Sequence, residues 1–75
     1  MRLNLSAAER NLLLEEQIET DSEKEYSVDE ALDLLQAVYD VEAMYSDLPE
    51  EDQRAEKAKA FAHLADKLSA MIPES

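Results

Sequence analysis

The sequence predicts an all-α fold, a small three-helix bundle in a single acidic domain over residues 1–75. Three observations lead to this prediction. The chain has no glycine and only two prolines, so the usual residues of β-hairpin turns are absent. Good helix formers such as Ala, Leu, Glu and Lys dominate the composition. Three segments also show the capping-box pattern, in which Ser or Asp precedes Glu by three residues.

The first helix is expected over residues 7–20, after the capping box formed by Ser6 and Glu9. A polar connector over residues 20–27 follows it. Because this connector is long, helix 1 is expected either to pack across the other two helices or to swap onto a second copy of the chain. Its narrow apolar stripe consists of Leu13, Leu14 and Ile18.

The second helix is expected over residues 28–46, after the capping box of Ser27 and Glu30. Its apolar residues occupy two sides, so it should contact two neighbours and form the centre of the bundle. Such a wide apolar arc also favours a homodimer, because the other helices offer less apolar surface to cover it. One side consists of Val28, Leu32, Leu35 and Tyr39. The other side consists of Leu34, Val38, Val41, Tyr45 and Leu48.

The third helix is expected over residues 48–72, with Asp47 and Glu50 as its capping box and Pro73 at its end. The turn between helices 2 and 3 is short, which predicts that they form an antiparallel hairpin. The predicted core pairs Phe61 and Leu68 of helix 3 with Leu34 and Val38 of helix 2. The whole apolar face of helix 3 consists of Ala58, Phe61, Leu64, Ala65, Leu68 and Ile72.

The net charge of −12 argues against direct binding to nucleic acid or to anionic lipid, since both are negatively charged. Residues 27–48 contain six acids and no lysine or arginine, which makes helix 2 the most acidic part of the chain. No segment has the apolar length of a membrane span or of a signal peptide. These features predict a cytoplasmic protein with no membrane contact.

The residues needed for common catalytic and metal sites are missing. There is no cysteine, no glycine-rich phosphate loop, and a single histidine, His63, which projects to the polar side of helix 3. A metal-binding or catalytic histidine needs partner ligands or an orienting group, and His63 has neither in the sequence pattern. We therefore expect no enzymatic activity, no metal and no cofactor.

Helix 2 carries the strongest candidate for a binding surface. Its acids project in similar directions, and no basic residue on the helix relieves their repulsion. Two interpretations remain open: a surface that only keeps the protein soluble, or a surface that binds a basic partner. The members of this row are Asp29, Asp33, Gln36, Asp40 and Asp47.

Two further residues of helix 2 join the candidate partner-binding set. Glu42 projects into the apolar arc, where a carboxylate must be paired, reach solvent or face a partner. An ion pair with Arg10, Arg54 or Lys57 is the structural alternative to an interface contact. Met44 projects near the acidic row as an apolar residue, a type that is enriched at protein contacts.

The sequence thus favours a non-enzymatic protein-binding regulator or inhibitor that engages a basic partner through its acidic helical surface. One specific form of this hypothesis is a nucleic-acid mimic, such as a phage or mobile-element inhibitor of a host nuclease or DNA-binding protein. The alternative is a self-associating, homodimeric structural or adaptor module in which the acids only solubilise.

Overall fold

The computed structural model describes residues 1–73 and contains three α-helices and one short 3-10 helix. Helix α1 spans Ala7–Glu15, α2 spans Val28–Ser46, and α3 spans Lys57–Met71, preceded by the 3-10 helix Gln53–Glu56. No strand occurs among the described residues. The predicted all-α three-helix bundle is therefore confirmed, and the predicted bounds of the second helix are those of α2.

Two of the three predicted capping boxes form. The Ser6 amide donates to the Glu9 carboxylate at 2.8 Å, and the Glu9 amide donates to the Ser6 hydroxyl at 3.2 Å. Ser27 and Glu30 repeat this exchange with two distances of 3.1 Å. Each box satisfies two backbone N–H groups that have no partner inside the helix, so the starts of α1 and α2 are fixed by local sequence.

The predicted end of helix 1 at residue 20 is wrong, because α1 stops at Glu15. Gln17 adopts a left-handed conformation with φ of 64°, and its amide donates to the carbonyl of Leu14. The amide of Ile18 reaches the carbonyl of Leu13 at 3.0 Å. This pair of bonds is a Schellman termination, which usually uses glycine at the left-handed position. A glutamine there gave no sequence signal for the end of the helix.

The predicted capping box of Asp47 and Glu50 is also wrong. Asp47 has helical torsion angles and forms the C-cap of α2, whereas an N-cap residue is extended. Asp52 is extended instead, and its side chain accepts from the Arg54 amide at 2.9 Å. The chain therefore enters α3 through a 3-10 turn, about nine residues later than predicted. At the other end α3 stops at Met71, two residues before Pro73.

Helices α2 and α3 form the predicted antiparallel hairpin, and their facing sides build most of the core. The rings of Tyr45 and Phe61 stack with centroids 5.8 Å apart. All four residues predicted for the core are buried: Leu34, Val38, Phe61 and Leu68. Four of the other buried residues of the hairpin were also placed on its apolar faces: Leu35, Tyr45, Leu64 and Ala65. The buried Ala31 was not among the predicted residues.

The segment before α1 completes the core, which the sequence reasoning missed. Leu3 and Leu5 are buried although they precede the first helix. The amide of Tyr26 donates to the carbonyl of Met1, so the start of the chain runs beside the connector. Tyr26 is itself buried. Helical periodicity cannot reveal such residues, because an extended segment has no 3.6-residue repeat.

Helix α1 packs on the hairpin of its own chain, antiparallel to α3. Two ion pairs show the direction: Lys67 meets Glu9 at 2.6 Å, and Lys57 meets Glu15 at 3.4 Å. Leu13 is fully buried and anchors the helix, whereas Leu14, predicted for the same stripe, is 56% exposed.

One of the two apolar sides predicted for helix 2 is only partly covered within residues 1–73. Leu35 is buried, but Val28, Leu32 and Tyr39 are exposed. This side is therefore less covered than expected for a helix with two neighbours. Helix α1 is short and forms its ion pairs with α3, which leaves this side of α2 partly exposed.

Candidate protein-binding surface

The outer face of α2 carries a row of polar and acidic residues that we term the acidic ridge. At 3.6 residues per turn its members fall within an arc of about 60°, nearly opposite the buried face of the helix. Every member is exposed. The ridge consists of Asp29, Asp33, Gln36, Asp40 and Asp47.

The carboxylates of the acidic ridge have no cationic partner within residues 1–73. The one hydrogen bond between ridge side chains runs from the Gln36 amide to Asp40 at 3.1 Å. Asp29 and Asp33 are four residues apart, a spacing at which like charges destabilise a helix by about 0.2–0.5 kcal/mol. Asp47 caps the C-terminal end, where the helix dipole also disfavours negative charge. Asp29 lies in the first turn of α2, where the same dipole favours a carboxylate, so the unfavourable charges of the ridge are those of Asp33 and Asp47.

Glu42 lies apart from the acidic ridge, on the side of α2 near its buried face. It is half-buried. The ion pair considered from the sequence does not form, because Arg54 pairs with Asp52 at 2.9 Å and Lys57 pairs with Glu15. No cation within the described residues forms an ion pair with Glu42. This carboxylate reaches solvent.

Met44 is 52% exposed and lies beside the acidic ridge, next to the direction of Asp33 and Asp40. The structure thus brings together six of the seven candidate residues on one outer face of α2, with Glu42 as the exception. This grouping follows from the helical repeat alone, so the sequence was sufficient to find it once the bounds of α2 were known.

Glu30 shows how differently an acid of the same helix behaves when it has partners. Lys24 lies 2.7 Å from its carboxylate, which also accepts the Ser27 amide. The hydrogen bond to Lys24, followed by those to Ser27, lowers the pKa of Glu30 to about 2. Glu30 therefore stabilises the start of α2.

A polar contact that the sequence did not indicate ties α1 to the end of α2. The Tyr45 hydroxyl donates to the Glu16 carboxylate, and Lys57 Nζ lies 5.7 Å from the centroid of the Tyr45 ring. The hydrogen bond to Glu16, with burial as the second cause, raises the pKa of Tyr45. The side chain of Tyr45 is otherwise packed on Phe61, so this contact holds helices together and exposes no reactive group.

An open depression of about 610 Å³ lies between α1 and the returning connector. Arg10 and Lys24 are its basic residues, and Glu19 and Asp21 are its acidic ones. Lys24 is already committed to Glu30, and the two acids offset the two bases. The depression therefore has no net charge or enclosed apolar surface that would select a ligand.

The described residues offer neither a metal-binding cluster nor a membrane-spanning helix. His63 is exposed on α3. Within residues 1–73 no group of three or more His, Asp or Glu side chains is arranged to hold a metal ion. None of the helices described here combines the length and the apolar character that crossing a membrane requires.

Comparison with known protein families, with curated proteins and with solved structures finds no significant match to this chain. The surface of the molecule is therefore the basis for proposing a function.

Proposed function

We propose that this chain is a non-enzymatic binding protein that regulates or inhibits a partner with a basic surface, and that the acidic ridge is its contact. One observation carries the proposal: the ridge carboxylates are exposed and have no cationic partner in residues 1–73, although Asp29 and Asp33 repel each other at a spacing of four residues. A basic partner would relieve this repulsion, because opposite charges would then face each other.

The charge of the whole chain supports the same proposal. A net charge of −12 on 75 residues creates a field that attracts basic surfaces and speeds their encounter. The field is concentrated on α2, because residues 27–48 contain six acids and no lysine or arginine. The α2 side of the molecule should therefore meet the partner first.

Mimicry of nucleic acid is a more specific form of this proposal. The ridge extends over roughly 27 Å from Asp29 to Asp47, at 1.5 Å per residue. One DNA strand carries about eight phosphates over that length, whereas the ridge carries four carboxylates. The ridge alone is thus a sparse mimic, so mimicry would depend on the acids of the whole chain. Competition with duplex DNA for the captured partner tests this form.

Self-association is the second candidate function, and the exposed side of α2 favours it. Val28, Leu32 and Tyr39 are apolar and exposed, as expected if a second copy covered them. Light scattering over a wide range of concentrations tests this candidate. A mass that stays at 8.5 kDa would exclude it.

Affinity capture with matched charge variants tests the leading proposal. The ridge variant combines Asp29→Asn, Asp33→Asn and Asp40→Asn. The control variant removes the same number of charges from exposed acids away from α2 that have no ion pair within residues 1–73; it combines Glu50→Gln, Glu51→Gln and Asp66→Asn. Wild type and both variants are used to capture proteins from host lysate at low and at moderate salt.

We expect wild type and the control variant to retain the same basic proteins at moderate salt. The ridge variant should lose these proteins. The two variants have the same net charge, so a difference between them depends only on where the charges were removed. Identical capture by all three proteins would contradict the proposal. Circular dichroism of each variant confirms that the fold is retained.

A further inference from the structure

An exposed apolar stripe runs along α2 beside the acidic ridge. Leu32 is 46% exposed, Tyr39 is 43% exposed and Val28 is 39% exposed. The buried Leu35 forms the inner edge of the stripe. These four residues define the apolar stripe, and they fall within an arc of about 60° that adjoins the arc of the ridge.

The spacing of the apolar stripe matches a helix-packing seam. Its residues are separated by four, three and four positions, the pattern with which one helix packs along another. Glu42 follows Tyr39 after three more positions and so continues the seam with a carboxylate. A second helix laid along this seam would therefore contact apolar residues first and Glu42 near its end.

The charges that α2 itself places around the apolar stripe are all negative. Asp29, Asp33 and Asp40 flank it on the solvent side, and Glu42 lies at its end on the other side. No lysine or arginine occurs in α2 to balance them. A second copy placing its own α2 here would oppose acids with acids, which is destabilising. Lysines or arginines of an incoming helix would instead meet a carboxylate on either side.

The small area of the apolar stripe also favours a helix that carries lysine or arginine. Each of its three exposed side chains is already more than half covered. A stable protein interface needs about 800 Å² from each partner, which these side chains alone do not supply. The ridge and Glu42 must add to the contact, and they do so only for a basic partner.

We propose that the apolar stripe, the acidic ridge and Glu42 together dock an amphipathic helix of a partner protein, with apolar residues spaced by three and four and flanked by lysine or arginine. This inference rests on the proposed function, since it specifies the basic partner as a helix. It adds that apolar contacts determine where the helix lies, while the carboxylates select its charge.

Three synthetic peptides of about 18 residues, or five helical turns, serve as probes. The first has leucine at alternating spacings of three and four, with lysine at the flanking positions. The second replaces its lysines with glutamate. The third keeps the composition of the first but scrambles the leucines. Fluorescence anisotropy should show the first peptide binding wild type at least about tenfold more tightly than either of the others.

A matched pair of leucine substitutions locates the site on the protein. Leu32→Gln changes the apolar stripe, and Leu14→Gln makes the same change at a leucine of α1 with similar exposure. Leu32→Gln should weaken binding of the first peptide about tenfold, whereas Leu14→Gln should change it less than about twofold. Glu42→Gln and the ridge variant should each weaken binding and reduce its salt dependence, and the control variant should do neither.

Four results would overturn the inference. If Leu32→Gln binds as wild type does while the ridge variant binds less, the stripe is not used, although the proposed function stands. If the acidic peptide binds as well as the basic one, charge does not select the helix. If wild type is a dimer that Leu32→Gln dissociates, a second copy covers the stripe. If neither Leu32→Gln nor the ridge variant affects binding, the inference and the proposed function fail together.

Discussion

The outer surfaces of α2 and α3 are built from similar helix-forming residues but use charge in different ways. On α3, Lys57 and Lys67 reach across to Glu15 and Glu9 and hold α1 in its antiparallel position. On α2, Glu30 is the one acid with an ion pair inside residues 1–73. The charges of α3 therefore link it to α1, whereas those of the acidic ridge have no partner in residues 1–73.

Neither set of charges decides the fold. Exposed ion pairs contribute about 0–1 kcal/mol each, and repulsion within the ridge is of the same order. The buried side chains shared by the hairpin, Leu13 and the segment before α1 provide the driving force. Because the fold does not depend on the ridge, its residues are free to serve binding, and they can be changed without unfolding the protein.

The largest expected effect concerns the core face of the hairpin. Phe61→Ala should cost about 3–5 kcal/mol of unfolding free energy, because a fully buried ring is replaced by a cavity. A domain of this size has a total stability near the low end of about 5–15 kcal/mol, so the variant should be close to unfolded. Tyr39→Ala on the outer side of α2 should cost less than about 1 kcal/mol. Urea denaturation of both variants measures the difference, and equal losses would contradict the division of α2 into a core face and a free face.

Acid should weaken the start of α2. The pKa of Glu30 is lowered from 4.5 to about 2 by its hydrogen bonds to Lys24 and Ser27. The stabilisation from Glu30 is therefore complete above about pH 4.5, and is lost as the pH falls through the folded-state pKa near 2. NMR titration should show the Glu30 carboxylate becoming protonated as the pH falls from about 4.5 to about 2. Hydrogen exchange of the Glu30 backbone amide should become faster over the same pH range, because the start of α2 is weakened. In Lys24→Gln the carboxylate should titrate at a higher pH; an unchanged midpoint would show that Lys24 is not the cause.

A smaller effect compares the charges of the two helices directly. Lys67→Gln removes the ion pair with Glu9 and should lower the unfolding free energy by at most about 1 kcal/mol, since both side chains are partly exposed. Asp33→Asn should instead raise it by a few tenths of a kcal/mol, because the repulsion between Asp33 and Asp29 is relieved. Thermal melts at low salt measure whether each substitution lowers or raises the stability. An Asp33→Asn variant less stable than wild type would mean that this residue of the ridge supports the fold after all.

The sequence was sufficient where local chemistry determines the structure. The capping box of Ser27 and Glu30 fixed the start of α2, and the helical repeat then placed the acidic ridge. It was insufficient where tertiary packing or an unusual residue determines it. Gln17 ends α1 in a conformation that favours glycine, and Leu3 and Leu5 enter the core without helical periodicity. The apolar pattern of α2 did not tell which side would stay exposed, because covered and uncovered apolar sides have the same periodicity.

The most direct test of the central claim is a binding titration of a captured partner with wild type, the ridge variant and the control variant at two salt concentrations. If the acidic ridge contacts the partner, the ridge variant should associate more slowly, bind more weakly and lose part of the salt dependence, while the control variant stays near wild type. Equal affinity and equal salt dependence for wild type and the ridge variant would contradict the claim, and would leave self-association through the exposed side of α2 as the leading account.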